Sequence, residues 1–227
     1  LPPTDFDFSK VGVSTAWIKE NELTGFAAHW MKNSNFAWAF DTWWMNLFPR
    51  KAPFTANGGG YSTLSFIPTL GTMILGLIAG GVLRNQKSPA EKFRWFIVAG
   101  VIGLASGWLL GKLGICPVVK RIWTPSWVLF SGGWCFLLLA CFYGIIELWQ
   151  KRAWSFPLLV IGANSIAAYC IAHLFDGFIA TNLKTHLGQN FFKFAGEVYE
   201  PFLHGATILF VFWLILLWMY RRKIFLR

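Results

Sequence analysis

The 227-residue sequence predicts an all-α, polytopic transmembrane helix bundle of about five spans with an external amphipathic helix. Three observations predict it. First, 56% of the residues are hydrophobic and only 13% are charged, about half of the ~25% charge usual in soluble domains. Second, the apolar residues fall in long runs near the ~20 residues that a spanning helix needs. Third, these runs lack the apolar–polar alternation of membrane barrel strands.

Residues 1–60 read as an external segment. Within it, residues 34–48 carry Phe36, Phe40, Trp43, Trp44, Leu47 and Phe48 at helical spacing. Asn33, Ser34 and Asn35 are alternative caps, and Pro49 is a stop signal. This pattern predicts an interfacial helix with its rings among lipid headgroups. Its polar edge, with Asp41, Thr42 and Asn46, could also border an active-site cleft. The glycines Gly58 to Gly60 then make a flexible turn. They do not make a phosphate loop, because no Gly-Lys-Ser/Thr follows.

Residues 61–227 form the five-span region. The expected spans are 64–83, 95–113, 127–149, 156–175 and 206–220, with an external loop at 176–204 carrying a short surface helix or two. Small residues recur at Gly76 and Gly80, and at Gly103, Gly107 and Gly111. Such spacing lets helix backbones approach closely; a cofactor channel against the glycines is the alternative.

Charge gives the orientation. Arg84, Lys87, Lys92 and Arg94 follow the first span, Lys151 and Arg152 follow the third, and Arg221, Arg222, Lys223 and Arg227 follow the fifth. With five spans these groups share one side. Its ten Lys and Arg face only Glu91 and Glu147, leaving +8 of the chain's total of +10. The basic side is cytoplasmic, so the C-terminus is cytoplasmic and residues 1–60 are external. Basic residues flanking apolar runs point to the lipid bilayer as the partner, and no nucleic acid is expected. A 60-residue external segment with no leader cannot reach that side unaided. An upstream span or signal is therefore expected, and the chain reads as the C-terminal part of a larger membrane protein. The four cysteines are scattered and suggest neither a metal site nor a disulfide framework.

Polar groups inside spans are expensive and so point to function. The fourth span holds Asn164, Ser165, Tyr169 and His173 on adjoining helix faces. They are read either as the lining of a polar route through the membrane or as an interhelical hydrogen-bond clamp. Before the third span, Lys120 and Arg121 sit beside Trp123, Thr124 and Ser126, a set that suits an anionic or sugar ligand or lipid headgroups. His29 is either a base or a solvated loop residue.

Four stretches together resemble a known family. They are Gly59-Gly60-Tyr61-Ser62-Thr63-Leu64-Ser65-Phe66-Ile67-Pro68-Thr69-Leu70-Gly71-Thr72 with Gly76 to Gly80, Lys120-Arg121-Ile122-Trp123-Thr124-Pro125-Ser126, Gly162-Ala163-Asn164-Ser165-Ile166 with Tyr169 and His173, and Tyr220-Arg221-Arg222-Lys223-Ile224-Phe225. In this order they resemble the C-terminal half of the heparan-α-glucosaminide N-acetyltransferase family, and more closely its bacterial relatives of DUF5009 type.

The resemblance implies an inner-membrane acyltransferase that takes acetyl from cytosolic acetyl-CoA and delivers it to a sugar or amino-sugar acceptor outside. No metal is implied. The family's transfer histidine belongs to the N-terminal half, so the catalytic residue of this chain is unassigned. Asn164, Ser165, Tyr169, His173, Trp123 and Lys120 become candidates to line the acceptor's route. Cytoplasmic Arg84, Lys87, Arg94, Lys151 and Arg152 become candidates for the CoA phosphates. The upstream helices of the same protein are the implied partners, and a homodimer is open. The chain alone is expected to be inactive. A permease for a small sugar or anion, or a structural membrane subunit, is the alternative.

Overall fold

The computed structural model describes residue 3 and residues 5–226. Every regular element among the described residues is helical, which establishes the all-α class. Among the described residues, four helices are long and apolar enough to cross a membrane: Thr63–Arg84, Pro89–Lys112, Pro125–Leu148 and Glu197–Arg221. Ala153–Ala163 and Ser165–Leu174 make a fifth if the two, bent by 70°, count as one span. Arg227, one of the basic tail residues, lies outside the described residues. The chain divides into two compact units, Leu1–Trp149 and Gln150–Arg227.

In the first unit, α1 (Thr15–Asn21) is capped by the Ser14 hydroxyl, which accepts the Trp17 N–H. Helix α2 (Phe36–Met45) is capped by Asn35, whose side-chain oxygen accepts the Trp38 N–H at 2.8 Å. Its neighbour Asn33 takes a positive φ of 52°. From there its amide donates to the carbonyls of Val11 and Asn57. Phe36, Trp43, Trp44, Leu47 and Phe48 are exposed, whereas Asp41 on the other face is buried. The Asp41 carboxylate accepts the Thr63 N–H at 2.9 Å, at the start of the first long helix.

Helices α3 (Phe66–Arg84), α4 (Pro89–Lys112) and α5 (Pro125–Tyr143) follow. Helix α4 starts six residues before the expected Trp95. A capping box explains this: the Ser88 hydroxyl accepts the Glu91 N–H, and the Glu91 carboxylate accepts the Ser88 N–H. Thr124 caps α5, with Pro125 in its first turn. Helix α5 continues into a π-helical turn at Gly144–Leu148.

Glycines let α4 and α5 meet backbone to backbone. A Cβ on Gly133 would lie 2.6 Å from the Leu104 nitrogen and 2.7 Å from the Gly100 oxygen. A Cβ on Gly107 would lie 2.7 Å from the Phe130 nitrogen. Gly103 and Gly107 therefore serve the close packing of α4 on α5. Toward the other end, Ala79, Phe96, Phe136 and Ala140 form the unit's buried cluster. Gly76 and Gly80 differ, because a Cβ at either would meet nothing within 4 Å.

In the second unit, α6 (Phe156–Ala163), α7 (Ser165–Leu174), α8 (Asp176–Leu187) and α9 (Glu200–Arg221) pack around Val160, Ala167, Leu216 and Met219. The run expected as a span over 156–175 forms the bent helix pair, with its break at Asn164, which has φ −134° and ψ 45°. Its side chain bonds to the C-terminal tail instead of serving a helix interior. Asn is also prone to such non-helical local states.

Helix α9 begins six residues before the expected Ala206, with Glu200 and Pro201 in its first turn. The expected loop 176–204 is therefore mostly helix. Contacts along α9 set the antiparallel register. Asn164 meets Ile224 and Leu226, the Ala180 carbonyl lies 3.3 Å from His204 Nε2, and Lys184 pairs with Glu200 at 3.1 Å. The stretch that runs along α9 is thus α7 with α8. Helix α6 lies against the C-terminal half of α9, where Trp213 Nε1 donates to the Pro157 carbonyl and the Phe156 and Tyr220 rings meet.

Candidate functional site

Two places carry polar groups in an apolar setting, one in each unit. In the second unit, Ala167, Ala168 and Ile171 of α7 pack toward α9. Ser165, Tyr169 and His173, at i, i+4 and i+8, take the opposite side and are exposed. The Tyr169 and His173 rings stack at 4.0 Å. His173 Nδ1 lies 3.0 Å from the Tyr169 carbonyl oxygen. A carbonyl only accepts, so Nδ1 carries the proton, and in the neutral ring Nε2 is the open acceptor. This face can hold a hydroxylic or amine ligand and accept a proton from it.

Asn164 does not join that face. It is fully buried. Its amide donates to the Ile224 carbonyl at 3.0 Å, and its oxygen accepts the Leu226 N–H at 3.0 Å. Between the two readings of this residue, the clamp is what its bonds make, with the tail backbone as the partner.

The approach to α5 is also structural. Trp123 takes a positive φ of 52°, and its Nε1–H donates to Thr72 Oγ1 at 3.0 Å. The Thr124 and Ser126 hydroxyls are buried and both donate to the Pro117 carbonyl. Arg121 donates to the Gly59 carbonyl at 3.0 Å. Lys120 is exposed, and its carbonyl accepts the Trp123 N–H.

Arg84, Lys87 and Arg94 are exposed along the α3–α4 connection and the first turns of α4. None of them lines the cleft of about 500 Å³ nearby, which Lys92, Tyr143 and Glu147 border. Lys151 and Arg152 are exposed at the start of the second unit.

The second place is a cleft of about 500 Å³ in the first unit. Phe26, Trp30, Phe36, Ile67, Pro68 and Ile122 make most of its walls, with His29, Asn35, Ser62 and Ser65 among them. The 3₁₀ turn Gly25–Trp30 presents His29. Its Nδ1 lies 2.9 Å from the Phe26 carbonyl oxygen, which again leaves Nε2 as the open acceptor.

Human heparan-alpha-glucosaminide N-acetyltransferase is 24% identical to this chain over 169 residues, 71% of the chain and 24% of that protein. The chain is distantly related to the heparan-α-glucosaminide N-acetyltransferase family. It spans about a quarter of the length of this curated relative. No protein-family model matches the chain, and no solved structure matches it. Neither His29 nor His173 takes a role from the acetyltransferase; both stand on their own geometry.

Sequence reasoning singled out His173 by its place in an apolar run. It left His29 open between base and solvated loop, because the cleft is assembled from residues 26–37, 62–68 and 122–125. The only local signal was the density of rings around His29.

Proposed function

We propose that this chain forms part of an integral-membrane acyltransferase that moves acetyl from acetyl-CoA on the cytoplasmic side to a sugar or amino-sugar acceptor on the external side. The relationship to an N-acetyltransferase over 71% of the chain carries this reading. The polar face of α7 supports it. Ser165, Tyr169 and His173 would be costly against lipid, so they belong beside a polar route or another part of the protein. Asn164 holds the helix that presents them.

In such a transfer the acceptor nitrogen bonds to the thioester carbonyl carbon, the C–S bond breaks, and the amine proton passes to a base. His173, with Nε2 unprotonated, is suited to hold that proton on the route. Arg84, Lys87, Arg94, Lys151 and Arg152 are cytoplasmic in this reading and supply cations for the CoA phosphates.

The test uses the full-length gene product in sealed vesicles, with labelled acetyl-CoA on one side and an amino sugar on the other. Acetylated amino sugar on the far side is the expected result. Transport of unmodified sugar without a donor, or no transfer at all, overturns the reading.

A further inference from the structure

The cleft beside His29 is not explained by transfer chemistry on α7. Its walls are almost wholly apolar, and most of its polar members already have partners. Trp30 Nε1 donates to the Ile115 carbonyl. The Asn35 amide donates to the Met31 carbonyl, and its oxygen accepts the Trp38 N–H. The Ser62 and Ser65 hydroxyls bond to each other, and Ser65 also bonds to the Ile122 carbonyl. His29 Nε2 is an open acceptor among the side chains of the lining. The cleft's volume of about 500 Å³ falls within the roughly 300–1,000 Å³ range of small-molecule sites.

Its place in the fold narrows the ligand. The floor is made by Leu64, Ile67 and Pro68 at the start of α3 and by Pro125 at the start of α5, where two spanning helices begin. One wall is Phe36, the first residue of α2. That helix also exposes Trp43, Trp44, Leu47 and Phe48, the ring-rich surface of an interfacial helix. A cleft at that level, with mostly apolar walls and few open polar atoms, matches a molecule that is mostly hydrocarbon with a polar end. A free sugar would leave most of its hydroxyls unpaired here.

We propose that the His29 cleft binds the apolar chain of a membrane lipid whose headgroup carries the acyl acceptor. This inference rests on the acyltransferase reading for the word acceptor, and on the cleft alone for lipid binding. In it, His29 Nε2 accepts a hydrogen bond from the headgroup end of the lipid. The acceptor is then presented in the plane of the membrane and does not arrive from solution.

The test uses the full-length gene product in phosphatidylcholine vesicles containing a glycolipid with an amino-sugar headgroup and a diazirine in its chain. On illumination, label is expected in peptides containing residues 26–37 and 64–68. Ala37→Trp, which fills the cleft, is expected to reduce that label by about tenfold, equivalent to roughly 1.4 kcal/mol. Labelling at Val98 and Val101, exposed on α4, is expected to stay unchanged and reports that the variant is folded. Excess free amino sugar is expected not to compete. Label confined to α4 and the outer face of α2, or competition by the free sugar, overturns the inference. A second arm measures acetyl transfer from acetyl-CoA to the same glycolipid and to the free sugar. Cleft labelling without any transfer removes the acyltransferase reading and keeps lipid binding. Transfer to the free sugar with an unlabelled cleft does the reverse.

Discussion

The side-chain oxygen of Asn164 accepts the backbone N–H of Leu226 at 3.0 Å, while its amide nitrogen donates to the Ile224 carbonyl at 3.0 Å. One buried amide thus closes the break between α6 and α7 and anchors the tail that follows α9. Both of its bonds go to backbone, so the residue type matters more than its size.

Asn164→Leu removes both bonds, whose backbone partners lie on the exposed residues Ile224 and Leu226. A typical net hydrogen bond contributes about 0.5–1.5 kcal/mol, so thermal stability in detergent is expected to fall by that order per bond. Removal of residues 224–227 breaks the same bonds. Combining the two changes should cost much less than their sum, as expected for partners in one interaction. Additive losses would show that the tail and Asn164 act separately.

The α4–α5 seam makes a paired prediction. Gly133→Ala places a methyl 2.6 Å from the Leu104 nitrogen, a clash with backbone that no side-chain rotation relieves. Overpacking of this kind costs about 1–3 kcal/mol. Gly76→Ala is the matched control, because its new methyl meets nothing within 4 Å. Thermal unfolding of the two variants in the same detergent is expected to separate them. Equal losses would mean that the seam is looser than its geometry.

Asp41 joins the N-terminal segment to the first long helix, and its carboxylate is buried against the Thr63 N–H. Asp41→Ala strands that N–H and is expected to loosen α2 from the start of α3. Asp41→Asn keeps an acceptor oxygen and should recover most of the loss. Limited proteolysis within residues 46–62 measures it, with faster cutting in the alanine variant and near-normal cutting in the asparagine variant.

The exposed Asp7 gives a pH signature. Its carboxylate accepts from the Ser9 hydroxyl at 2.6 Å and from the Ser9 N–H at 3.0 Å, and it caps the turn Phe8–Val11. The hydroxyl bond, then the backbone bond, holds its pKa below the ordinary 3.8. A depressed carboxyl pKa means that the cap is fully present above the unfolded value and is lost as pH falls through the folded one. The Ser9 amide resonance should therefore move only at pH below the ordinary carboxylate range. Asp7→Asn is expected to abolish that movement.

These cases show which parts of the fold were legible in the sequence. Hydropathy located the long helices, because an apolar run near the required length has few alternatives. Their ends were less legible where a cap decides them, as at Ser88 and Glu91. The break at Asn164 was hidden because its bonding partners lie 60 and 62 residues away. The hydrogen-bond partners of Trp123, Thr124 and Ser126 were hidden for a related reason. Polar side chains before a span look ligand-facing until their partners, Thr72 and Pro117, are in place. His173 was singled out because polarity inside an apolar run is itself a signal.

The polar face of α7 makes the sharpest prediction for a route through the membrane. Ser165, Tyr169 and His173 lie on one side of the helix, and Ala167 and Ile171 lie on the side packed toward α9. A cysteine scan separates a water-lined face from a lipid-lined one. The four native cysteines are first replaced by alanine, because Cys170 is exposed on the same helix. Single cysteines at 165, 169 and 173 are then expected to react with a charged, membrane-impermeant thiol reagent in the full-length protein. A cysteine at 167 should stay unreactive, since Ala167 is buried. Thiolate forms readily only where water solvates it, so reactivity reports water and not mere exposure. Protection of 165, 169 and 173 by acetyl-CoA together with an amino sugar would tie the face to transfer. If all three prove inert, this face meets lipid or protein, and the route lies elsewhere.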